Sequence, residues 1–138
     1  MQPESGRYQL EKAVAVEAVR EAAQLCRRVQ KGRVLGAALV KGDRSPVTIA
    51  DFGAQAIVSR RLAQRFASDP VMGEESAAEL VAPERASIRD AVCAEVAASI
   101  PGAKASDVLA WIGRAQSDGG RGRFWALDPI DGTKGFLR

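Results

Sequence analysis

Asp128 and Asp131 flank Pro129-Ile130, and Gly132-Thr133 come immediately after. Pro129 cannot donate to a strand ladder and confines its neighbours to extended or turn geometry, so the two acids lie on either side of a forced corner. Both carboxylates can then converge on one point. Gly132 and Thr133 supply a hinge and a hydroxyl, a composition suited to opening a helix whose free N–H groups face an anion. Hard cations take oxygen ligands, and Mg²⁺ commonly binds one or two carboxylates plus a substrate phosphate. Acids beside an N–H cradle therefore suggest metal-assisted phosphoryl chemistry. The same string also has a plain reading as an acidic turn in which Asp128 caps the residues after it.

Three further acids, at two places in the chain, have this double character. Asp51 lies three residues after Thr48, a capping-box-like start to a helix, so a first-turn acid explains it locally. Glu74 and Glu75 end a short apolar stretch, Val71-Met72-Gly73, and read locally as a first-turn pair ahead of a helix over residues 77–81.

The composition narrows the chemistry further. The chain has no histidine, which removes Ser-His-Asp catalysis, Cys-His catalysis and His-rich zinc sites together. Cys26 and Cys93 are far apart and lack C-x-x-C spacing, so they read as buried thiols rather than a zinc or redox pair. A net charge of +3 with only 5% aromatics argues against a nucleic-acid surface, which needs a denser basic stripe with stacking residues. At 138 residues, with 46% hydrophobic and 27% charged, the chain is long enough for one globular domain with a real core. No apolar run approaches the ~20 residues of a membrane helix and no signal-type segment opens the chain, so the expected location is inside the cell, in the cytoplasm first, without a membrane partner.

The elements that must position these acids can be read from periodicity. Residues 9–29 are helical in pattern, with Val14, Ala18, Ala22 and Leu25 on one face, Val19, Cys26 and Val29 beside it, and Gly32 as a stop behind the basic Arg27, Arg28 and Lys31. Residues 34–40 fit either a strand or a helical extension, and residues 41–46 read as a turn. A helix beginning at Thr48 to Asp51 carries Ala54, Val58, Leu62 and Phe66 on one face and is closed by Ser68-Asp69-Pro70. Val71-Met72 is a brief strand; Ile88, Val92, Val96 and Ile100 mark a helix ending at Pro101-Gly102; Ser106-Asp107 opens another. A polar glycine-rich loop, residues 116–123, leads into a strand over residues 124–127. The strands thus end on acids. No P-loop and no dinucleotide-binding glycine fingerprint occurs, and no internal repeat or linker divides the chain.

Three separated pieces, Ser45-Pro46-Val47-Thr48-Ile49-Ala50-Asp51, Gly73-Glu74-Glu75-Ser76 and Trp125-Ala126-Leu127-Asp128-Pro129-Ile130-Asp131-Gly132-Thr133, together resemble the lithium-sensitive, magnesium-dependent phosphatases of the inositol monophosphatase superfamily. Within it, Thr133-Lys134-Gly135-Phe136-Leu137-Arg138, the Asp118-Gly119-Gly120 approach and Ala50-Asp51-Phe52-Gly53-Ala54-Gln55-Ala56 are similar to the 3′(2′),5′-bisphosphate nucleotidases. The resemblance implies an α/β (α+β) layered sandwich of the sugar-phosphatase type. It implies that Glu74, Asp128 and the carbonyl of Ile130 hold one Mg²⁺ and that Asp128 bridges to a second ion shared with Asp131. It implies that Asp51 and the Thr133 hydroxyl orient and help deprotonate the attacking water, while the N–H groups of Gly132 and Thr133 hold the phosphate. The implied reaction removes the 3′-phosphate of adenosine 3′,5′-bisphosphate to give AMP. An inositol-phosphate phosphomonoesterase, or a chain that only binds metal or a partner, are the alternatives. The resemblance spans the whole chain but only the first part of the family's domain, so the expectation is an N-terminal half, residues 1–138, prone to self-association and with no more than trace activity by itself.

Overall fold

The computed structural model describes residues 6–35 and 45–136, with the side chains of residues 33–35, 45, 133 and 134 excepted. Two long helices dominate: α1, Gln9–Leu35, and α2, Ser45–Arg65. A two-residue strand β1, Val71–Met72, precedes a short helix α3, Ala77–Val81, a 3₁₀ turn at Pro83–Arg85, and the helices α4, Ala86–Ser99, and α5, Ala105–Arg114. The strand β2, Trp125–Ala126, and a single helical turn α6, Thr133–Phe136, complete the order. The result is mixed helical with a small parallel sheet.

Helix α2 is the axis of the core because it is covered on every side. It packs along α1 on one flank and against α4 and α5 on the other, and residues 52–59 are buried without a break. A helix apolar all round belongs in an interior, and Phe52, Ala54, Ile57, Val58 and Leu62 meet that condition. Helix α1 contributes the predicted stripe of Val14, Ala18, Ala22, Leu25 and Val29, whereas Val19 is exposed. The two helices approach closely at Gly53, where an added Cβ would stand 2.8 Å from a Leu25 methyl. Pairs of partly exposed charges tie the frame together: Arg61 to Glu21 at 2.7 Å joins α2 to α1, and Arg28 bonds Glu95 at 3.2 Å and the Ser99 hydroxyl at 2.7 Å, joining α1 to α4.

Several boundaries differ from the sequence-based expectation. Helix α1 runs through Gly32 to Leu35, so Gly32 is no stop; glycine costs only ~1 kcal/mol in a helix, which α1's packing against α2 readily offsets. Residues 36–40 and 41–44 of the expected strand and turn lie outside the described residues. Helix α2 starts at Ser45, since Pro46 is at home in a first turn, so Thr48 and Asp51 sit a turn further in and Asp51 is not a capping acid. Glu74 and Glu75 precede the N-cap Ser76 and are therefore not first-turn acids of α3. Helix α5 begins one residue before Ser106, and Asp107 serves it from inside by accepting the Lys104 backbone N–H at 2.9 Å. Cys26 and Cys93 are free and only half-buried.

The strands pair in parallel, Val71 with Trp125 and Met72 with Ala126, with Trp125 N–H donating to Pro70 O and Leu127 N–H to Met72 O, both at 2.9 Å. The expected strand over residues 124–127 shrinks to its middle pair, and Phe124 is exposed. The opposite edge of β1 is occupied by the segment after α5, through Gly73 N–H to Ala115 O at 2.7 Å and Ser117 N–H to Val71 O at 3.1 Å. Trp125 locks the sheet to the end of α2: its ring lies 5.5 Å from that of Phe66, and its indole N–H donates to Asp69 at 3.1 Å. Arg123 holds the same carboxylate at 2.8 Å and keeps it below the usual range.

Candidate active site

Parallel pairing has one decisive effect: both strands run out toward the same side, and each is followed within two residues by an acid. Glu74 comes after β1 and Asp128 after β2, and the two line one open cavity of about 460 Å³. Asp128 also lines a second cavity, of about 550 Å³, with Cys26, Arg27, Ile130, Asp131 and Gly132. Asp128 thus stands between the two spaces, with Glu74 on one side and Asp131 on the other.

Asp51 joins this group from α2. Its carboxyl is pushed up to about 7, first by burial and then by the negative charges of Glu75, Glu74 and Asp128. One of its oxygens, Oδ1, is buried with no hydrogen-bond partner. A buried carboxylate oxygen without a donor, facing three more acids, is costly unless a proton or cation is supplied. Glu75 is raised as well, by burial and then by Glu74 and Glu79, and the Cys26 thiol is pushed up to about 11 by burial and by Asp51.

Beyond Asp128 the chain turns at Pro129 and reaches Gly132 with φ +74°, a left-handed conformation that favours glycine. Gly132 O then accepts the N–H groups of Gly135 at 2.9 Å and Phe136 at 3.3 Å, closing α6, so the expected opening of a helix after Gly132 is present, though only one turn long. The Gln30 side chain donates to Phe136 O at 3.0 Å and anchors α6 to α1. The Thr133 side chain lies outside the described residues.

The structure therefore brings Glu74, Asp128 and Asp51 into one electrostatic neighbourhood and places Asp131, Ile130 and Gly132 along a cavity that Asp128 shares. Among the described residues, no group of three or more His, Cys, Asp or Glu side chains is arranged to hold a metal ion. The donor set nevertheless suits a hard cation: it is all oxygen, and the charges acting on Asp51 are all negative.

Two participants carry no role in the sequence pattern alone. Glu75 is the stronger of the two neighbouring glutamates acting on Asp51. Gln55, one helical turn after Asp51, is wholly buried and binds the corner at residues 73–75. The available signal was a lone amide in the apolar run Phe52-Gly53-Ala54-Gln55-Ala56-Ile57-Val58. Gly73 completes this corner: a Cβ there would lie 2.7 Å from Gln55 Oε1 and 2.8 Å from Ala115 O. Backbone cannot retreat as a side-chain tip can, so Gly73→Ala is expected to cost roughly 1–3 kcal/mol, read as a lowered urea midpoint at unchanged slope.

Residues 7–138 match the inositol monophosphatase family. The chain belongs to that family. It is 41% identical to the 3′(2′),5′-bisphosphate nucleotidase of Schizosaccharomyces pombe over 95% of this chain and 41% of that protein. It is 41% identical to 3′(2′),5′-bisphosphate nucleotidase 1 of Candida albicans strain SC5314 and 39% to the Arabidopsis thaliana protein of that name, each over 95% of this chain and 40% of the relative. The chain spans about two fifths of the length of these curated relatives. Among the described residues no helix is long and apolar enough to cross a membrane.

Proposed function

We propose that this chain is the N-terminal part of one layered α/β phosphatase domain that removes the 3′-phosphate of adenosine 3′,5′-bisphosphate, giving AMP and phosphate. The observation that carries the reading is the parallel register of β1 and β2, which delivers Glu74 and Asp128 to one cavity within electrostatic range of Asp51. The identity to three bisphosphate nucleotidases supports the substrate class.

The carboxylates of Glu74 and Asp128 with the Ile130 carbonyl would hold one Mg²⁺, and Asp128 with Asp131 a second. Bound Mg²⁺ neutralises phosphate charge and lowers the pKa of the attacking water. Asp51, held on α2 in the same neighbourhood as Glu74 and Asp128, would accept the proton of that water. The Thr133 hydroxyl orients the water, and the N–H groups of Gly132 and Thr133 bind the phosphoryl oxygens. The water's oxygen would bond to phosphorus as the bond from phosphorus to the 3′-oxygen breaks, and the leaving 3′-oxygen would take a proton from solvent to become a hydroxyl.

The test is phosphate release by this chain joined to the C-terminal portion of a bisphosphate nucleotidase, assayed with Mg²⁺ on adenosine 3′,5′-bisphosphate and on an inositol monophosphate. Turnover of the nucleotide with little release from the inositol ester is expected. The opposite preference would overturn the substrate assignment, and turnover unaffected by chelating Mg²⁺ would overturn the metal assignment.

A further inference from the structure

The Gln55 carboxamide is wholly buried at the centre of the molecule and makes four hydrogen bonds. Its Nε2 donates to Glu75 O at 2.8 Å and Ile112 O at 3.1 Å. Its Oε1 accepts the backbone N–H of Glu75 at 2.9 Å and of Glu74 at 3.2 Å. An amide has two donors and two lone pairs, so its capacity is used completely. Glu75 has both its N–H and its C=O on this one side chain, as it would on a neighbouring strand. The corner after β1 thus continues its ladder onto a side chain of α2.

We propose that Gln55 is a positioning residue for the cation site: by fixing the backbone of Glu74 and Glu75, it holds the Glu74 carboxylate at the register that Asp128 requires. This rests on the metal-site reading under Proposed function. Asp51 and Gln55 are one turn apart on α2, so the same rigid helix sets both the base and the corner carrying the ligand. Glu74 is exposed, so the position of its backbone does much to set where its carboxylate reaches. The tight fit of Gly73 against the carboxamide removes the room in which the corner could shift. An apolar replacement would strip this partner from the backbone at residues 74, 75 and 112 and lower stability on either account, so it is the metal affinity, not the stability, that separates aiming a ligand from bracing the corner.

The experiment uses this chain joined to the C-terminal portion of a bisphosphate nucleotidase, with Mn²⁺ as probe and its binding read by loss of the free-ion paramagnetic resonance signal. Gln55→Met and Gln55→Glu are compared with Val96→Ala, a buried change on α4 away from the corner. Both Gln55 variants are expected to weaken Mn²⁺ binding roughly tenfold to a hundredfold, the usual size for partners that orient metal ligands. Val96→Ala should lower the melting temperature and leave the Mn²⁺ Kd within about twofold. If Gln55→Met melts lower yet binds Mn²⁺ as the unchanged chain does, the positioning role is wrong while the metal site stands. If the unchanged chain takes up no Mn²⁺, the metal-site reading falls and the Gln55 role with it. Hydrogen exchange on the unchanged chain does not depend on any variant folding: the Glu74 and Glu75 amides should be protected as core amides are, and exchange at open-loop rates would overturn the proposal.

Discussion

Asp128→Asn, in this chain completed by a nucleotidase C-terminal portion, should abolish measurable phosphate release while the circular dichroism and unfolding midpoint hold or improve. Among the described residues Asp128 is the one acid that lines both cavities at the strand ends, and an amide there keeps the shape while losing the charge for both proposed cation positions. Metal stabilisation of transition-state charge is worth several kcal/mol, and each ~1.4 kcal/mol is tenfold, so a loss of at least about 10³-fold in kcat/KM is expected. Stability should not suffer, because the carboxylate adds repulsion toward Asp51. Wild-type rates at saturating Mg²⁺ would show that Asp128 does not bridge ions.

Asp51→Asn should split activity from stability in a second way. In its proposed role as the base toward water, Asp51 would contribute about 10²- to 10⁴-fold in kcat, and its loss should leave Mg²⁺ dependence nearly unchanged. Its folded pKa of about 7 stands above the ordinary 3.8, so between these values the folded chain binds more protons than the unfolded one. The stability of the metal-free chain therefore declines as pH rises from about 4 to about 7, and the group's stabilising contribution is complete only below that window. Asn at this position removes that slope, so the variant should be the more stable at pH 7 without metal. A helix-capping aspartate would behave oppositely, losing on the order of 1 kcal/mol when changed. Lowered stability at pH 7 with normal kcat would return Asp51 to a purely local role.

The acids, their order and their association with strand ends are legible in the sequence because they occur in compact strings whose turn chemistry is local. Pro129 and Gly132 announce the corner, and Val71-Met72 announces the strand. The fate of Gly32 and the start of α2 are not legible, because packing between α1 and α2 decides where those helices begin and end. The same reason hides Gln55 and Glu75. A buried amide declares its partners only when α2, β1 and the end of α5 meet, and nothing in the spacing of residues 55, 75 and 112 indicates that they will.

The two paired strands are separated in the chain by α3, α4 and α5. Local helical contacts form quickly, whereas a pairing that must close so long a loop pays its entropy before any contact repays it. Glu74 and Asp128 are therefore expected to come together only when the sheet closes, so that most of the helical frame assembles before Asp51 feels both of their charges. The charge penalty then falls on the closing step and shows mainly in how fast the sheet reopens. A divalent ion would act there as a latch, slowing reopening of the sheet without having to guide the helices into place.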